Sequence, residues 1–465
     1  METAPVVLSD QDLLDKEAKH CSHGDTVHYS PVPKMFQSCE GSFLYDRDDR
    51  PYLDLQMWYS AVNFGYRNTH IIDALKKQLD RLPQLACQYL HEEKIVLAEK
   101  LALECLRAFG VEGRIQFNVG GSQAVEDSLK LVRNATGKNL VFAFTGGYHG
   151  RTLGATEITS SYRYRRRFGH FSNRAEFVPF PYCYRCPYGK KLESCRYYCV
   201  DQFERKFETE YNGVWDPRAK ECEFSAFYVE AVQGTGGYLI PPPEYFPRLQ
   251  KILRERNILL VDDEIQMGFF RTGKYWAIEH FGVKPNLVVF GKAMTNGLNP
   301  LSGVWAEERL ISPAKFPPGS THSTFSSNPL GTAAALATLE WIEGQNYADT
   351  VAESGAYFLK QLHLLKKKHA TIGDVSGLGL ALRIEVTETD RFTPNKALTD
   401  KIFETGLAGG LPSSRGPMGL VLDVGGHYKN VFTLAPALDI SRAEIDLAVE
   451  LLDYLFQSCH SELAS

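Results

Sequence analysis

At 465 residues, with 44% hydrophobic and 23% charged residues and a net charge of −5, the chain has the make-up of a soluble globular protein of one large domain plus a smaller one. That charge gives no reason to expect a nucleic-acid or membrane partner, and no segment approaches the roughly 18 to 20 uninterrupted apolar residues of a membrane helix. The opening stretch METAPVVLSDQDLLDKE lacks a basic flank followed by an apolar run and is too acidic for a transit peptide, so a cytoplasmic location is expected.

In chain order, the first recognisable element is Gly41 to Asp54, whose alternating Phe43, Tyr45 and Leu53 predict a short hairpin. Next come short, continuous apolar runs, each closed by Gly or a polar cluster: Ile115 to Val119, Leu140 to Phe144, Ala226 to Val232, Ile258 to Val261 and Leu287 to Phe290. Runs of this length without alternation suit strands buried on both faces. Periodic segments such as Ser122 to Arg133 and Tyr245 to Arg256 predict helices between them. The alternation argues for an α/β domain with a mostly parallel sheet flanked by helices.

In such sheets ligands sit beyond the carboxyl ends of the strands, and the residues that stand out collect there. Gly120-Gly121-Ser122 follows the first run, where backbone N–H groups and a helix N-terminus can cradle a phosphate; an ordinary strand-to-helix turn reads the same way. Tyr148, in Thr145-Gly146-Gly147-Tyr148-His149-Gly150, can stack on a flat ligand or anchor its loop. The basic run Arg163 to Arg167 reads as a solvated loop or as the border of a site that binds acids.

Cys183-x-x-Cys186, Cys195 and Cys199 come next, part of a total of ten cysteines. Their spacing approaches that of a structural zinc site, although the second pair is C-x-x-x-C; free thiols in a Tyr-rich insertion are the other reading. An apolar strand then ends in Asp262-Asp263-Glu264, three acids that need partners. Asp263 can pair with a cationic ring nitrogen, or the cluster can hold a divalent metal. Lys292 directly follows a buried strand and Gly291, where partial desolvation favours attack on a carbonyl; a solvated loop lysine is the alternative. The interval from Asp263 to Lys292 fits one strand–helix–strand crossover and places both at the same sheet edge.

The C-terminal third differs. A long helix is expected from Pro329 to His369, then Gly-rich segments near 373–379 and 406–426, and a final helix from about Ser441 to Leu455. This gives an expected division into an N-terminal segment 1–75 that joins a small α+β domain, a large domain 76–335 and a C-terminal small domain 336–465. No strand is followed by G-x-G-x-x-G, which disfavours a nicotinamide-binding domain.

Taken together, these segments resemble the class III aminotransferases, fold-type-I pyridoxal-phosphate enzymes that include ornithine and 4-aminobutyrate aminotransferases. The resemblance runs from about Gly41 to Leu455. Its most specific part is LLVDDEIQMGFFRTGKYWAIEHFGVKPNLVVFGKAMTNGLNPLSG, similar to the family's D-E-[VI]-Q, G-x-x-R-T-G-K and K-A pattern in order and spacing. It implies that Lys292 holds pyridoxal 5'-phosphate covalently and moves the substrate proton, while Asp263 keeps the pyridine nitrogen charged. It further implies that Gln266 meets the phenolic oxygen, that Gly120, Gly121 and Ser122 take the phosphate, that Tyr148 stacks on the ring and that Glu230 lies beside it. Thr324 resembles the threonine that reaches the phosphate of a neighbouring subunit, which implies a homodimer with shared active sites.

Trp58 and Tyr59 fall where relatives line the substrate pocket, although core packing explains them equally. Some relatives carry a C-x-x-C in a comparable region that bridges subunits through an iron–sulfur cluster. Three positions depart from the pattern: Gln123 replaces a Glu, Ala231 replaces a Pro, and Thr433 stands where relatives that use dicarboxylates carry an Arg. A guanidinium fork is the usual holder of a carboxylate, and Arg415 is the expected substitute. The implied activity is transfer of an amino group from a small-molecule amine or amino acid to a carbonyl acceptor. The alternative is a racemase or epimerase that uses the same lysine. A non-catalytic scaffold is disfavoured by the intact Lys292, Asp263, Gln266 and Tyr148.

Overall fold

Four of the five apolar runs form the middle, and Ile115 to Val119 one edge, of a seven-stranded sheet in the computed structural model, which describes residues 8–24, 30–31, 33–169 and 174–464. Across the sheet the strands are Gly113–Asn118, Ser302–Glu307, Leu287–Phe290, Leu259–Asp263, Phe224–Val229, Leu140–Thr145 and Ala175–Pro179. Ser302–Glu307 is antiparallel to both neighbours, and the other pairings are parallel. Successive residues of the central strands supply opposite cores. Phe142, Phe144, Phe227, Leu260 and Val288 belong to one cluster, and Val141, Ala143, Ala226, Val261 and Val289 to the other. This is why the runs show no polar alternation: both faces of the pleat are covered.

The chain ends meet. The expected hairpin, Phe43–Asp46 with Pro51–Asp54, joins Phe36–Glu40 and is extended by Gly419–Val421, which lies parallel to Pro51–Asp54. A further sheet orders Ile372–Leu378, Ala381–Val386, Val431–Leu434 and Asp423–Gly425. These strands and the terminal helix Arg442–Ala464 make up the smaller α+β part built from both ends of the chain.

Two expectations need correction, and two strands of the sheet, Ala175–Pro179 and Ser302–Glu307, carried no prediction. The predicted long helix is two, Pro329–Glu343 and Tyr347–Lys368, because Gly344 closes the first and the Asn346 side chain caps the second by accepting from the Asp349 N–H. The link between Leu259–Asp263 and Leu287–Phe290 contains only a 3₁₀ turn, Ala277–Phe281, rather than an α-helix. The edge strand Ala175–Pro179 is only half-buried, and its short Glu- and Pro-containing sequence carries no apolar run to mark it. Residues 1–7 of the opening stretch lie outside the described residues. No helix among the described residues is long and apolar enough to cross a membrane.

Candidate active site

A cavity of about 210 Å³ lies at the carboxyl ends of the central strands and is lined by Gly121, Ser122, Tyr148, Glu230, Asp263 and Lys292, together with Gln266 and His149. Each side chain arrives from a strand end. Asp263 is the last residue of Leu259–Asp263, Glu230 directly follows Phe224–Val229, and Lys292 begins a 3₁₀ turn two residues after Phe290. Asp263 and Lys292 come from adjacent parallel strands, in which Asp263 is in register with Val289. Lys292 adopts φ 43°, a left-handed conformation that costs a residue with a Cβ on the order of 1–3 kcal/mol.

The anion cradle lies at the N-terminus of the helix Gly121–Thr136. Its N-cap, Gly120, offers no side-chain bond, so the first N–H groups are left for a ligand. A Cβ on Gly121 would sit 2.8 Å from Ile265 Cδ1. Gly150, at φ 127°, packs so closely on Ser122 that a Cβ would lie 2.3 Å from its Oγ, and this approach lets the Arg151 N–H donate to Ser122 Oγ over 3.1 Å.

Electrostatics link the deeper groups. Asp263 Oδ2 lies 2.8 Å from His149 Nδ1, and Asp263 Oδ1 accepts from the Ile265 N–H. Burial alone would lower the His149 pKa, but the contact with Asp263 and the charges of Asp263 and Glu230 hold it above its ordinary value. Glu230 Oε1 accepts from the Tyr148 N–H and Oε2 from the Gly234 N–H, each at 2.9 Å. Burial still pushes Glu230 up to about 7, against the opposing effects of His149 and these N–H groups. Burial lowers the Lys292 pKa, opposed by Asp263, Glu230 and Asp423. A larger neutral fraction makes its ε-amine a better nucleophile. Gln266 Nε2 donates to the Tyr238 hydroxyl over 3.0 Å.

A second cavity of about 230 Å³ shares Tyr148, Gln266 and Lys292 with the first and adds Tyr59, Arg151, Tyr164, Asp423 and Lys429. Tyr164, inside the basic run, meets Tyr148 edge-on at 5.2 Å, and the Arg151 guanidinium lies 4.5 Å from its ring centre. Within the same run, Arg165 donates to the backbone oxygens of Glu157 and Thr159. Tyr59 comes from Met57–Ser60, four consecutive residues with φ between 42° and 62°. This left-handed turn is started by Asp54, whose Oδ1 accepts from the N–H groups of Gln56 and Met57.

The predicted residues divide accordingly. Gly121, Ser122, Tyr148, Glu230, Asp263, Gln266 and Lys292 come together in the first cavity, with Gly120 at its rim as the helix cap. Tyr59 reaches the second, whereas Trp58 is 56% exposed and lines neither. Thr324 is exposed. Arg415 is exposed on the Ser413–Gly416 turn and lines neither cavity, so the structure does not place it as the substitute carboxylate holder. Thr433 is buried and donates to Asp423 Oδ2 over 2.5 Å.

Sequence reasoning missed His149, Arg151, Tyr164, Asp423 and Lys429. His149 lies inside a motif already singled out and Arg151 directly follows it, so the glycine-rich loop was the available signal. Asp423 and Lys429 come from the C-terminal sheet and carry no local pattern.

The cysteine expectation is corrected. Cys183, Cys186, Cys195 and Cys199 are free thiols around an apolar pocket of about 20 Å³ walled by proline and tyrosine. Burial, and secondarily the neighbouring thiols, push Cys183 and Cys199 up to about 11, which keeps them protonated at neutral pH. Among the described residues no group of three or more His, Cys, Asp or Glu side chains is placed to hold a metal, so the zinc and iron–sulfur readings gain no support.

A family model for class-III aminotransferases matches residues 26–455. The chain belongs to this family. It is 31% identical to a leucine/methionine racemase of Thermococcus litoralis, over 95% of this chain and 94% of that protein. It is also 31% identical to an ornithine aminotransferase of Saccharomyces cerevisiae, over 96% and 97% of the respective chains. Among solved structures it is similar to an (S)-enantioselective omega-transaminase from Thermomicrobium roseum, with TM-score 0.85 and 27% identity over 97% of this chain and 99% of that one.

The first cavity of this class III aminotransferase fits the family's cofactor, pyridoxal 5'-phosphate. The uncapped helix end matches a phosphate, the buried Asp263–His149 pair a cationic ring nitrogen, and the desolvated Lys292 an aldehyde. When bound, this cofactor supplies an electron sink for charge developed on the substrate carbon.

Proposed function

We propose that this protein moves an amino group between a small-molecule amine or amino acid and a carbonyl acceptor, with Lys292 as both covalent anchor and proton carrier. The single observation that carries the reading is the convergence of Lys292, Asp263 and Glu230 on one cavity beside an uncapped helix N-terminus. In this reading the Lys292 ε-amine would take the proton from the substrate carbon and deliver it on the far side of the transferred nitrogen, so that the C=N bond changes sides. Asp263, held by His149 and the Ile265 N–H, would face the ring nitrogen. Tyr148 covers the ring face and Ser122 bonds the phosphate.

Two half-reactions test it. An amino donor alone should change the cofactor absorbance, and a keto acid added afterwards should restore it with release of the corresponding amino acid. Lys292→Ala should abolish both; an intact cycle in that variant would overturn the assignment.

A racemase or epimerase remains the second reading, favoured by the absence of an arginine at Thr433 and by the similarity to the leucine/methionine racemase. Exchange of the α-hydrogen with solvent deuterium, accompanied by inversion and without any keto acid, would select it.

The exposed Thr324 supports a homodimer in which this residue meets the partner's phosphate site. Sedimentation of the holoenzyme at about the mass of two chains, and recovery of activity on mixing Lys292→Ala with Thr324→Ala chains, would support that arrangement.

A further inference from the structure

The second cavity holds an acid that the proposed chemistry does not use. Asp423 begins the strand Asp423–Gly425, opposite Thr433 in the antiparallel register, and lines the same cavity wall as Lys292. Two neutral side chains, Thr433 and Gln56, supply its hydrogen bonds, while Lys429 and Lys292 act on it through charge alone. Asp423 is half-buried, and a carboxylate in that position without a contacting cation gains when a ligand brings one. The rest of the lining is arranged around that acid: Tyr59, Tyr164 and Thr235 are neutral, whereas Arg151 and Lys429 offer positive charge to an anionic group.

We propose that Asp423 is a specificity-determining residue that selects amino donors carrying a second, distal nitrogen cation, namely diamino acids and diamines. This rests on the reading of the cavity as the site of an amino-group enzyme. One amine reaches Lys292 at the inner end of the cavity, and the other accepts the Asp423 carboxylate as its counter-ion. A carboxylate on the donor then faces Arg151 or Lys429. Burial pushes the Asp423 pKa up, so a cation bound beside it draws it back to the ionised form, and both groups gain together. The same acid opposes a second carboxylate, so dicarboxylate acceptors are selected against where Thr433 has already removed the arginine fork.

The experiment compares matched donors on the holoenzyme: ornithine against norvaline, and 1,4-diaminobutane against butylamine. The readouts are the apparent dissociation constant, from the cofactor absorbance change, and kcat/KM. Wild-type enzyme should favour the dibasic member by about 10-fold or more, and Asp423→Asn should collapse that ratio towards one, whatever its absolute activity. Asp423→Glu should keep part of the preference. If Asp423→Asn does not fold, the wild-type preference for ornithine over N-δ-acetylornithine, in which the distal charge is removed, reads the same contact. Equal ratios in wild type and Asp423→Asn, or no wild-type preference for the dibasic donor, would overturn the proposal. If no keto acid accepts nitrogen from any donor, the aminotransferase reading fails, while the binding ratio still judges Asp423.

Discussion

His149 Nδ1 and Asp263 Oδ2 lie 2.8 Å apart in the buried floor of the cofactor cavity, so the acid assigned to the ring nitrogen is itself held by a second ring. The histidine backbone N–H is fixed by Thr159 Oγ1, which sets its height beneath the cavity. Groups that orient a functional side chain in this way typically contribute about 10- to 100-fold to its performance. His149→Ala should therefore lower kcat by about that factor and weaken cofactor retention. A positioning role also predicts a moved pH profile, because the histidine charge bears on Glu230, which burial pushes up to about 7. A steady-state pH series on wild type and variant checks it. A profile unmoved on both limbs would reduce His149 to packing.

Gly121 and Ile265 define how closely the phosphate can approach. A methyl group at Gly121 would meet Ile265 Cδ1 at 2.8 Å and drive that side chain into the cavity it lines. Gly121 lies at the start of a helix, where alanine is well tolerated, so stability should hold or rise slightly. Gly121→Ala is expected to weaken cofactor binding by roughly 10-fold, about 1.4 kcal/mol. Trimming the clashing carbon with Ile265→Val should restore most of it, and a four-corner titration of cofactor affinity reads the coupling. Additive losses would mean that the two positions act separately.

These cases show where the sequence was legible. Most of the central sheet could be read because covering both faces turns its strands into unbroken apolar runs, whereas Ser302–Glu307, equally buried but opened by Ser and Gly, was not among them. The cofactor half of the site could be read because strand-end placement puts Ser122, Tyr148, Asp263 and Lys292 beside Gly or a buried run. His149 escaped because its role depends on a partner over a hundred residues away. Asp423 and Lys429 depend on how the C-terminal sheet packs, which no local period encodes. Arg415 fails for the same reason, since its turn faces solvent rather than the cavity.

Arg271, in the Arg-Thr-Gly-Lys part of the signature, is a clamp rather than a cavity residue. It is fully buried and donates to the carbonyl oxygens of Leu380 and Pro436 and to Asn63 Oδ1. It thereby ties the N-terminal segment, the Leu378–Ala381 turn and the segment after Val431–Leu434 together. Burial pushes its pKa down to about 10, yet it stays cationic at neutral pH. Arg271→Met leaves these acceptors without donors and should cost on the order of 2–4 kcal/mol. Thermal unfolding of the holoenzyme should show a midpoint lowered by several degrees, and an unchanged midpoint would deny the clamp.

Asp262 and Glu264 flank Asp263 and form a buried acid pair. Neither Asp262 oxygen nor Glu264 Oε2 has a partner other than the facing acid, while Glu264 Oε1 accepts from the Ile278 N–H. Burial, reinforced by Glu264, raises Asp262 well above the usual carboxylate range, and burial raises Glu264 to about 7. Both folded-state values lie above those of the unfolded chain. The stabilisation that comes from protonation is therefore complete below about pH 4 and is lost as pH rises through about 7. Asp262→Asn removes one charge and leaves an amide that can donate to Glu264. It should stabilise the protein at pH 8 relative to wild type by on the order of 2 kcal/mol, and by much less at pH 5. Thermal midpoints of the two proteins from pH 5 to 8 check this. Parallel curves would show that the pair does not hold its proton in the folded state, whereas a gap that widens with pH would confirm the shared proton behind the catalytic strand end.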